Sequence, residues 1–412
     1  MKKKAILFPG QGSQYMGMGK KLCSQFVTAR ETFEEASEIL GIDLKELTFK
    51  SSNEILTSTE NAQIAIYVTG VAQYRVLKEL FTLHPHYMAG HSLGELTALT
   101  CAGAISFEDG VKIVRKRGLC MKEAAEKGGG IMYAIGKISV DMIQEVCSEI
   151  SKEDFYVGIS NYNSSEQNVI SGCTQAVEEA QKRLSALGAK VKQLNVSAPF
   201  HCPIMAPAAK VFAEELSKYT FHEPECIVLS NVTARPYEGK GSIQENLKKQ
   251  IVNPVHWQET MQYLKENGTK MVIDVGPGKV MKRLSENNVP TIKAYTCDDE
   301  EDMIFLKSAM KNEYAIPFVS RCMGFAVATK NQCEDEKAYQ KGVVEPYQAL
   351  QKMQEAIEAK NRMASEEEMR KAMELLEQIF ETKKVPEGIR RQNYERLFFD
   401  TETEDIFTDY VR

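Results

Sequence analysis

Gly90-His91-Ser92-Leu93-Gly94 sets a serine between two glycines in the Gly-x-Ser-x-Gly pattern. Small residues on both sides allow the sharp strand-to-helix turn that exposes a serine hydroxyl. The flanks fit such a turn: Tyr87-Met88-Ala89 reads as a strand end and residues 95–102 as a helix. A helix N-terminus beside the hydroxyl brings unpaired N–H groups and the positive end of the helix dipole. The pentapeptide alone is weak, since chance supplies roughly 0.1 such match in a chain of this size. Its chemistry is nucleophilic: the oxygen attacks an acyl carbon once a base takes its proton. Six histidines could serve, His84, His86, His91, His201, His222 and His256. His91 adjoins the serine, so its ring should point elsewhere. His201 follows Ser197-Ala198-Pro199-Phe200, in a loop between strand-like residues 191–196 and Pro203, and loops often carry sites. A lone loop histidine is more often a surface or packing residue, and the residues alone leave that reading open.

The elements that must position these side chains alternate along the chain. Residues 3–8 form a short apolar run closed by Pro9-Gly10, as a buried strand does. Residues 131–135, 155–160, 168–171, 191–194, 226–230 and 271–275 read likewise, with helical patterns such as 174–187 and 203–219 between many of them. This alternation predicts an α/β fold with a largely parallel sheet. Gly128-Gly129-Gly130 reads as a hinge into a smaller unit over 128–196, whose strands and two helices give a ferredoxin-like count.

Past residue 297 the charge balance changes. Residues 298–412 hold 17 basic and 25 acidic residues, a net of −8, against 34 and 32 in residues 1–297, a net of +2. The junction is Asp298-Asp299-Glu300-Glu301-Asp302, and such runs are normally solvated and often mark boundaries. The expectation is a globular body followed by a charged, mostly helical extension over 298–412. Ser365 with Glu368 predicts a capping box, and Met369, Met373, Leu376 and Phe380 follow at helical spacing. Leu350, Met353 and Ile357 form a second stripe. Amphipathic stripes usually face a core, so a helical pair packed on the body or on itself is expected, with a partner-binding face as the sharper alternative.

The 412 residues are 43% hydrophobic and 26% charged, which excludes a disordered or fibrous chain. A net charge of −6 gives no basic field for nucleic acid. No apolar run approaches the ~18–20 residues that span a bilayer. Met1-Lys2-Lys3-Lys4 is followed by only four apolar residues before Pro9, too few for a signal peptide, so a cytoplasmic protein with no membrane association is expected. The ten cysteines include no Cys-x-x-Cys pair, and His84-Pro85-His86 lacks nearby partners, so neither disulfides nor a metal site are expected.

Several segments together resemble the malonyl-CoA:acyl carrier protein acyltransferase family. They are Gly10-Gln11-Gly12-Ser13-Gln14, Gly90-His91-Ser92-Leu93-Gly94-Glu95, Arg115-Lys116-Arg117-Gly118, Asn161-Tyr162-Asn163-Ser164 with Val169-Ile170-Ser171-Gly172, and Val196-Ser197-Ala198-Pro199-Phe200-His201. Asn253-Pro254-Val255-His256-Trp257 and Asp274-Val275-Gly276-Pro277-Gly278 continue the series. The resemblance covers residues 4–295 and implies an α/β-hydrolase-like large domain, 1–127 and 197–297, with an inserted ferredoxin-like small domain, 128–196. It implies Ser92 as nucleophile, His201 as base, and an oxyanion hole from the N–H groups of Gln11 and Leu93. A main-chain carbonyl near Gln250 would orient the histidine, so Gln250 is grouped with the binding residues. Arg117, which by itself reads as a solvated helix charge, is placed by the resemblance in the acyl pocket. There its two parallel N–H groups would hold the malonyl carboxylate. Phe200, bulky before the histidine, favours malonyl over branched acyl groups.

The implied reaction moves malonyl from malonyl-CoA through a serine ester to the phosphopantetheine thiol of a carrier protein, with ping-pong kinetics and no cofactor beyond CoA as substrate. A carrier-protein editing hydrolase is the rival enzyme reading, disfavoured by Arg117. A non-catalytic scaffold is disfavoured by Ser92, His201, Arg117 and Gln11 together. The long extension favours service to a polyketide synthase over housekeeping fatty-acid synthesis. Because carrier proteins are typically acidic, the +2 body rather than the −8 extension is the expected docking side.

Overall fold

The computed structural model describes every residue except 1, 2, 82, 197, 315, 316, 361, 402, 404, 405, 408, 409, 411 and 412. Met1 and Lys2 of the basic start, and Ser197 of the histidine loop, therefore lie outside the described residues. The chain forms two compact units, Lys2–Leu306 and Lys307–Arg412. Among the described residues no helix is long and apolar enough to cross a membrane, and all ten cysteines are free thiols.

The strands are β1 (Lys3–Phe8), β2 (Tyr87–Gly90), β3 (Ile131–Gly136), β4 (Val157–Ser164), β5 (Gln167–Gly172), β6 (Lys190–Gln193), β7 (Ile227–Val228), β8 (Thr269–Asp274) and β9 (Lys293–Thr296). Five pair in parallel in the order β7-β2-β1-β8-β9. Central β1 is covered on both faces, which is why it reads as a near-continuous apolar run. Ala5 and Leu7 pack with Val272, Leu229 and Trp257, while Phe8 meets the edge of Tyr74 on the helix Thr59–Leu80.

The other four strands form an antiparallel sheet in the order β4-β5-β3-β6. The smaller unit pairs its strands antiparallel, unlike the main sheet, for a local reason. Only Ser165 and Glu166 separate β4 from β5, a hairpin link too short for a parallel crossover. The helices Val140–Ile150 and Thr174–Ala186 contribute Ile143, Val146, Val177 and Leu184 to a core with Ile135, Ile159 and Ile170. This sheet is tied to the segment before the helix Trp257–Glu266: Tyr162 N–H donates to Val255 O, and Val255 N–H to Ser160 O, each at 2.9 Å.

The division between units falls after Leu306, not after residue 297. The acidic run is only partly solvated: Glu300 and Glu301 are exposed, but Asp298 and Asp302 are held by the first unit. Asp298 accepts from Tyr15 Oη at 2.8 Å and from Gly278 N–H at 2.6 Å. Asp302 is 8% exposed, accepts from Lys282 Nζ at 2.7 Å and caps Thr296 N–H at 3.0 Å. Counted across the observed division, residues 1–306 hold 34 basic and 37 acidic residues and residues 307–412 hold 17 and 20, a net of −3 each. The charge contrast expected between body and extension is thus removed.

The second unit has its own core. Its longer described helices are Phe318–Ala328, Glu345–Ala359, Glu366–Thr382 and Glu387–Thr401. Phe325, Leu350, Ile357, Met373, Leu376, Phe380 and Phe398 are buried together, so the stripes at 350–357 and 369–380 face each other's helices. Ser365 and Glu368 form the reciprocal cap.

Gly94 lets the helix Leu93–Cys101 lie directly on β1: a Cβ there would sit 2.1 Å from Phe8 O. Gly94→Ala should therefore destabilise the first unit by about 1–3 kcal/mol or more, read as a lower midpoint in urea unfolding. An unchanged midpoint would mean that this helix does not pack as described.

Candidate active site

Ser92 stands between β2 and the helix Leu93–Cys101 with φ 52° and ψ −106°, a conformation that an L-residue holds only under constraint. Asn231 supplies the constraint. Its Oδ1 accepts from Ser92 N–H at 2.7 Å, and its Nδ2 donates to Gly90 O at 2.7 Å. His201 also has positive φ, 59°, and is buried. Its Nε2 lies 2.7 Å from Ser92 Oγ and its Nδ1 2.7 Å from the carbonyl oxygen of Gln250. A carbonyl can only accept, so the proton sits on Nδ1 and Nε2 turns its lone pair to the hydroxyl. Burial, then the nearby positive charge of Arg117, pushes His201 down to about 3. The imidazole is therefore neutral at pH 7 and able to take a proton.

Arg117 projects from the helix Phe107–Gly128 and is only 1% exposed. Its Nη1 donates to Gln63 Oε1 at 2.7 Å; its Nη2 donates to Gln250 Oε1 at 2.9 Å and to Ser92 Oγ at 3.1 Å. Gly118 explains how Gln63 reaches it. A Cβ on Gly118 would sit 2.7 Å from Glu60 Cα, so only glycine lets the two helices approach this closely. Burial lowers Arg117 to about 10, opposed by the charge of Glu95, and the guanidinium stays protonated at neutral pH.

These groups open on a cavity of about 370 Å³ within the first unit. Gly10, Gln11, His91, Ser92, Arg117, Phe200 and His201 line it with Asn161, Asn163, Gln167 and Val169 of the antiparallel sheet. Met281, Arg283 and Asn287, on or beside the helix Val280–Asn288, complete the wall. Phe200 is 6% exposed, and its carbonyl accepts from Ser171 Oγ at 2.9 Å. Gln11 lies on the wall beside Gly10, its side chain donating to Thr59 Oγ1 at 3.4 Å. Leu93 buries its side chain away from the cavity, and its amide is the first of its helix. Gln250 does not line the cavity. It stands behind the site and holds both His201 and Arg117.

Sequence reasoning missed Gln63, Asn231, Tyr237 and the part played by Glu95. Glu95 was visible in its motif, but its partners were not. Burial pushes its carboxyl up to about 7, although Tyr237, Gln250 and Asn231 all donate to it. His91 turns away from Ser92, as expected, and meets Asn163 Oδ1 through Nε2 at 2.8 Å.

A hydroxyl at a strained turn, a neutral imidazole on its proton and a dry guanidinium within reach can form an acyl-serine ester and hold an anionic acyl group. A parallel sheet bearing that equipment marks a serine acyl-transfer protein. Residues 6–321 match the family model described as the acyl transferase domain, and the chain belongs to that family. It is 39% identical over 387 residues to a malonyl CoA-acyl carrier protein transacylase of Bacillus subtilis, covering 93% of this chain and 97% of that protein. It is 40% identical over 300 residues to the malonyl CoA-acyl carrier protein transacylase of Escherichia coli (strain K12), covering 73% of this chain and 97% of that protein. Among solved structures, a malonyl-transacylase in complex with a type II polyketide synthase acyl-carrier protein superposes with a TM-score of 0.72 at 38% identity, covering 74% of this chain and 99% of that one.

A depressed histidine pKa keeps the base form present as pH falls, until the lowered value is reached. Acylation of Ser92 by a neutral ester such as p-nitrophenyl acetate should thus lose rate with a midpoint below the ordinary 6.5. A midpoint at or above that value would contradict a buried neutral imidazole.

Proposed function

We propose that this chain transfers a malonyl group from malonyl-CoA to the phosphopantetheine thiol of an acyl carrier protein, as a malonyl-CoA:acyl carrier protein S-malonyltransferase. The observation that carries the substrate is the buried guanidinium of Arg117, 3.1 Å from Ser92 Oγ. A malonyl thioester with its carbonyl carbon at that oxygen has its free carboxylate within reach of the same guanidinium. A neutral acyl chain would leave the charge unpaired. The relatives named above carry the same activity in their names.

In this reading His201 Nε2 takes the Ser92 proton as Oγ attacks the thioester carbon. The N–H groups of Gln11 and Leu93 receive the negative oxygen; Gln11's place on the wall and Leu93's at the helix start support those roles. The C–S bond breaks, the proton on Nε2 passes to the departing sulfur, and CoA leaves as a thiol. The carrier thiol then gives its proton to His201 and attacks the malonyl-Ser92 ester; the acyl C–Oγ bond breaks as the thioester forms, and Ser92 Oγ takes the proton back from Nε2. Phe200 limits branching beside the carbonyl. The steps need side chains and main-chain amides only, with CoA as a substrate. Arg117 weighs against the editing-hydrolase reading.

We read the parallel sheet with its serine turn as an α/β-hydrolase-like large domain, and residues 128–196 as an inserted ferredoxin-like domain. The order strand-helix-strand-strand-helix-strand from β3 to β6 supports the second assignment. The 387-residue match to the Bacillus subtilis protein is too long for the first unit alone, so it takes in most of the second. The Escherichia coli protein is matched over nearly its whole length by 300 residues. The extra unit supports service to a polyketide synthase over housekeeping fatty-acid synthesis.

Intact mass after incubation with malonyl-CoA should show one malonyl adduct, absent in Ser92→Ala. In Arg117→Ala, malonyl kcat/KM should fall at least about 30-fold while acetyl-CoA gains ground; unchanged selectivity would remove the arginine from acyl recognition. The cavity lies wholly in the first unit, so residues 1–314 alone should load free carrier protein. A soluble 1–314 fragment that self-acylates but transfers nothing would place carrier docking on the second unit.

A further inference from the structure

Glu95 is a buried carboxyl that the reaction above does not use. It lies in the first turn of the helix Leu93–Cys101, with no exposed surface. One oxygen, Oε1, receives Tyr237 Oη and the N–H of Asn231, the latter at 3.2 Å. The other, Oε2, receives Gln250 Nε2 at 2.6 Å. The same Gln250 Nε2 also donates to Ser92 O at 2.8 Å, while its Oε1 receives Arg117 Nη2 at 2.9 Å.

A glutamine amide has nearly the same shape in either of its two flipped orientations, so only its neighbours choose between them. Here the choice has a consequence. With its NH2 toward Glu95 and Ser92 O, Gln250 offers oxygen to the guanidinium. Flipped, it would point NH2 at N–H, donor against donor, and leave Ser92 O without this partner. In its ionised form the Glu95 carboxylate only accepts, so that form permits the first orientation alone. Gln63 supplies the second amide acceptor for the guanidinium.

We propose that Glu95 is a positioning residue for acyl recognition, locking the Gln250 amide so that the Arg117 guanidinium is held facing Ser92 Oγ and the acyl carboxylate. The inference deepens, and rests on, the reading of Arg117 as the carboxylate anchor. It predicts that Glu95 governs which acyl group is accepted through one intermediary.

Glu95→Gln tests the lock with almost no change in shape. The main-chain N–H of Asn231 cannot turn away, so the new amide must give its oxygen to that side. Its NH2 then faces Gln250, which must flip. In the full-length protein, the ratio of kcat/KM for malonyl-CoA over acetyl-CoA should drop about tenfold or more. A merely structural role would lower both rates together and leave the ratio within about twofold, which would overturn the proposal. Gln250→Met guards against misfolding of the first variant: it removes the relay but keeps the carbonyl that holds His201. The same fall in the ratio is expected, and an unchanged ratio would overturn the proposal too. Arg117→Ala measured alongside separates the two levels. If it leaves the ratio unchanged, the anchor reading fails; if it collapses the ratio while Glu95→Gln and Gln250→Met do not, the Glu95 inference alone fails.

Discussion

A guanidinium kept dry beside a serine hydroxyl is the constraint from which the rest of the site follows. Burying a charge is costly unless something answers it. Arg117 makes no ion pair among the described residues; its acceptors are the amide oxygens of Gln63 and Gln250 and the Ser92 hydroxyl. Neutral oxygens orient the guanidinium without cancelling it. A carboxylate in direct contact would have satisfied the charge and left nothing for an anionic acyl group to gain. Glu95 is held one residue back, near enough to favour the cation and separated from it by the Gln250 side chain. The same charge disfavours protonation of His201. One buried cation thus adds to burial in keeping the base neutral, and is the group proposed to select the acyl group.

Gln250 joins these two functions in one residue. Its main-chain oxygen fixes the tautomer of His201, and its side chain holds Arg117 and the Ser92 carbonyl. The helix Ile243–Val252 that carries it therefore ties the proposed recognition and proton-transfer groups together. Asn231, three residues after the edge strand β7, does comparable work on the strained turn, bridging Gly90 and Ser92. A strained serine persists where its surroundings over-determine it. Two side-chain hydrogen bonds and a helix laid directly on β1 meet that requirement.

What could be read from the sequence was local. The glycines around Ser92 announce a turn because backbone approach demands them within a few residues. Central β1 announces itself because burial on both faces leaves the near-continuous apolar run of residues 5–8. The cap at Ser365 and Glu368 is likewise a four-residue pattern. Legibility ended where partners are distant in the chain. Glu95 meets Asn231, Tyr237 and Gln250 across separations of 136, 142 and 155 residues. No period or spacing encodes such contacts. Arg117, on a helix rich in Lys and Arg, carries no local mark of burial; packing against Gln63 creates it. Without the family resemblance it would have been assigned to solvent.

Charge illustrates the same limit on a larger scale. A net count is only as informative as the boundary across which it is taken, and hydrogen bonds, not composition, decide the boundary. Asp298 and Asp302 are bound by Tyr15, Gly278 and Lys282, so the acidic run belongs to the first unit, and the two units then carry equal net charge. Total charge therefore gives no reason for a carrier protein to prefer either. At physiological ionic strength exposed charges more than about 8 Å apart are largely screened, which leaves the decision to the cavity itself. Among the described residues its lining includes two cationic side chains, buried Arg117 and exposed Arg283, and no carboxylate. Both proposed thiols, CoA and phosphopantetheine, bring a phosphate on the arm that must enter. A positive edge with no opposing charge suits both arms alike, as a reaction that exchanges one for the other requires.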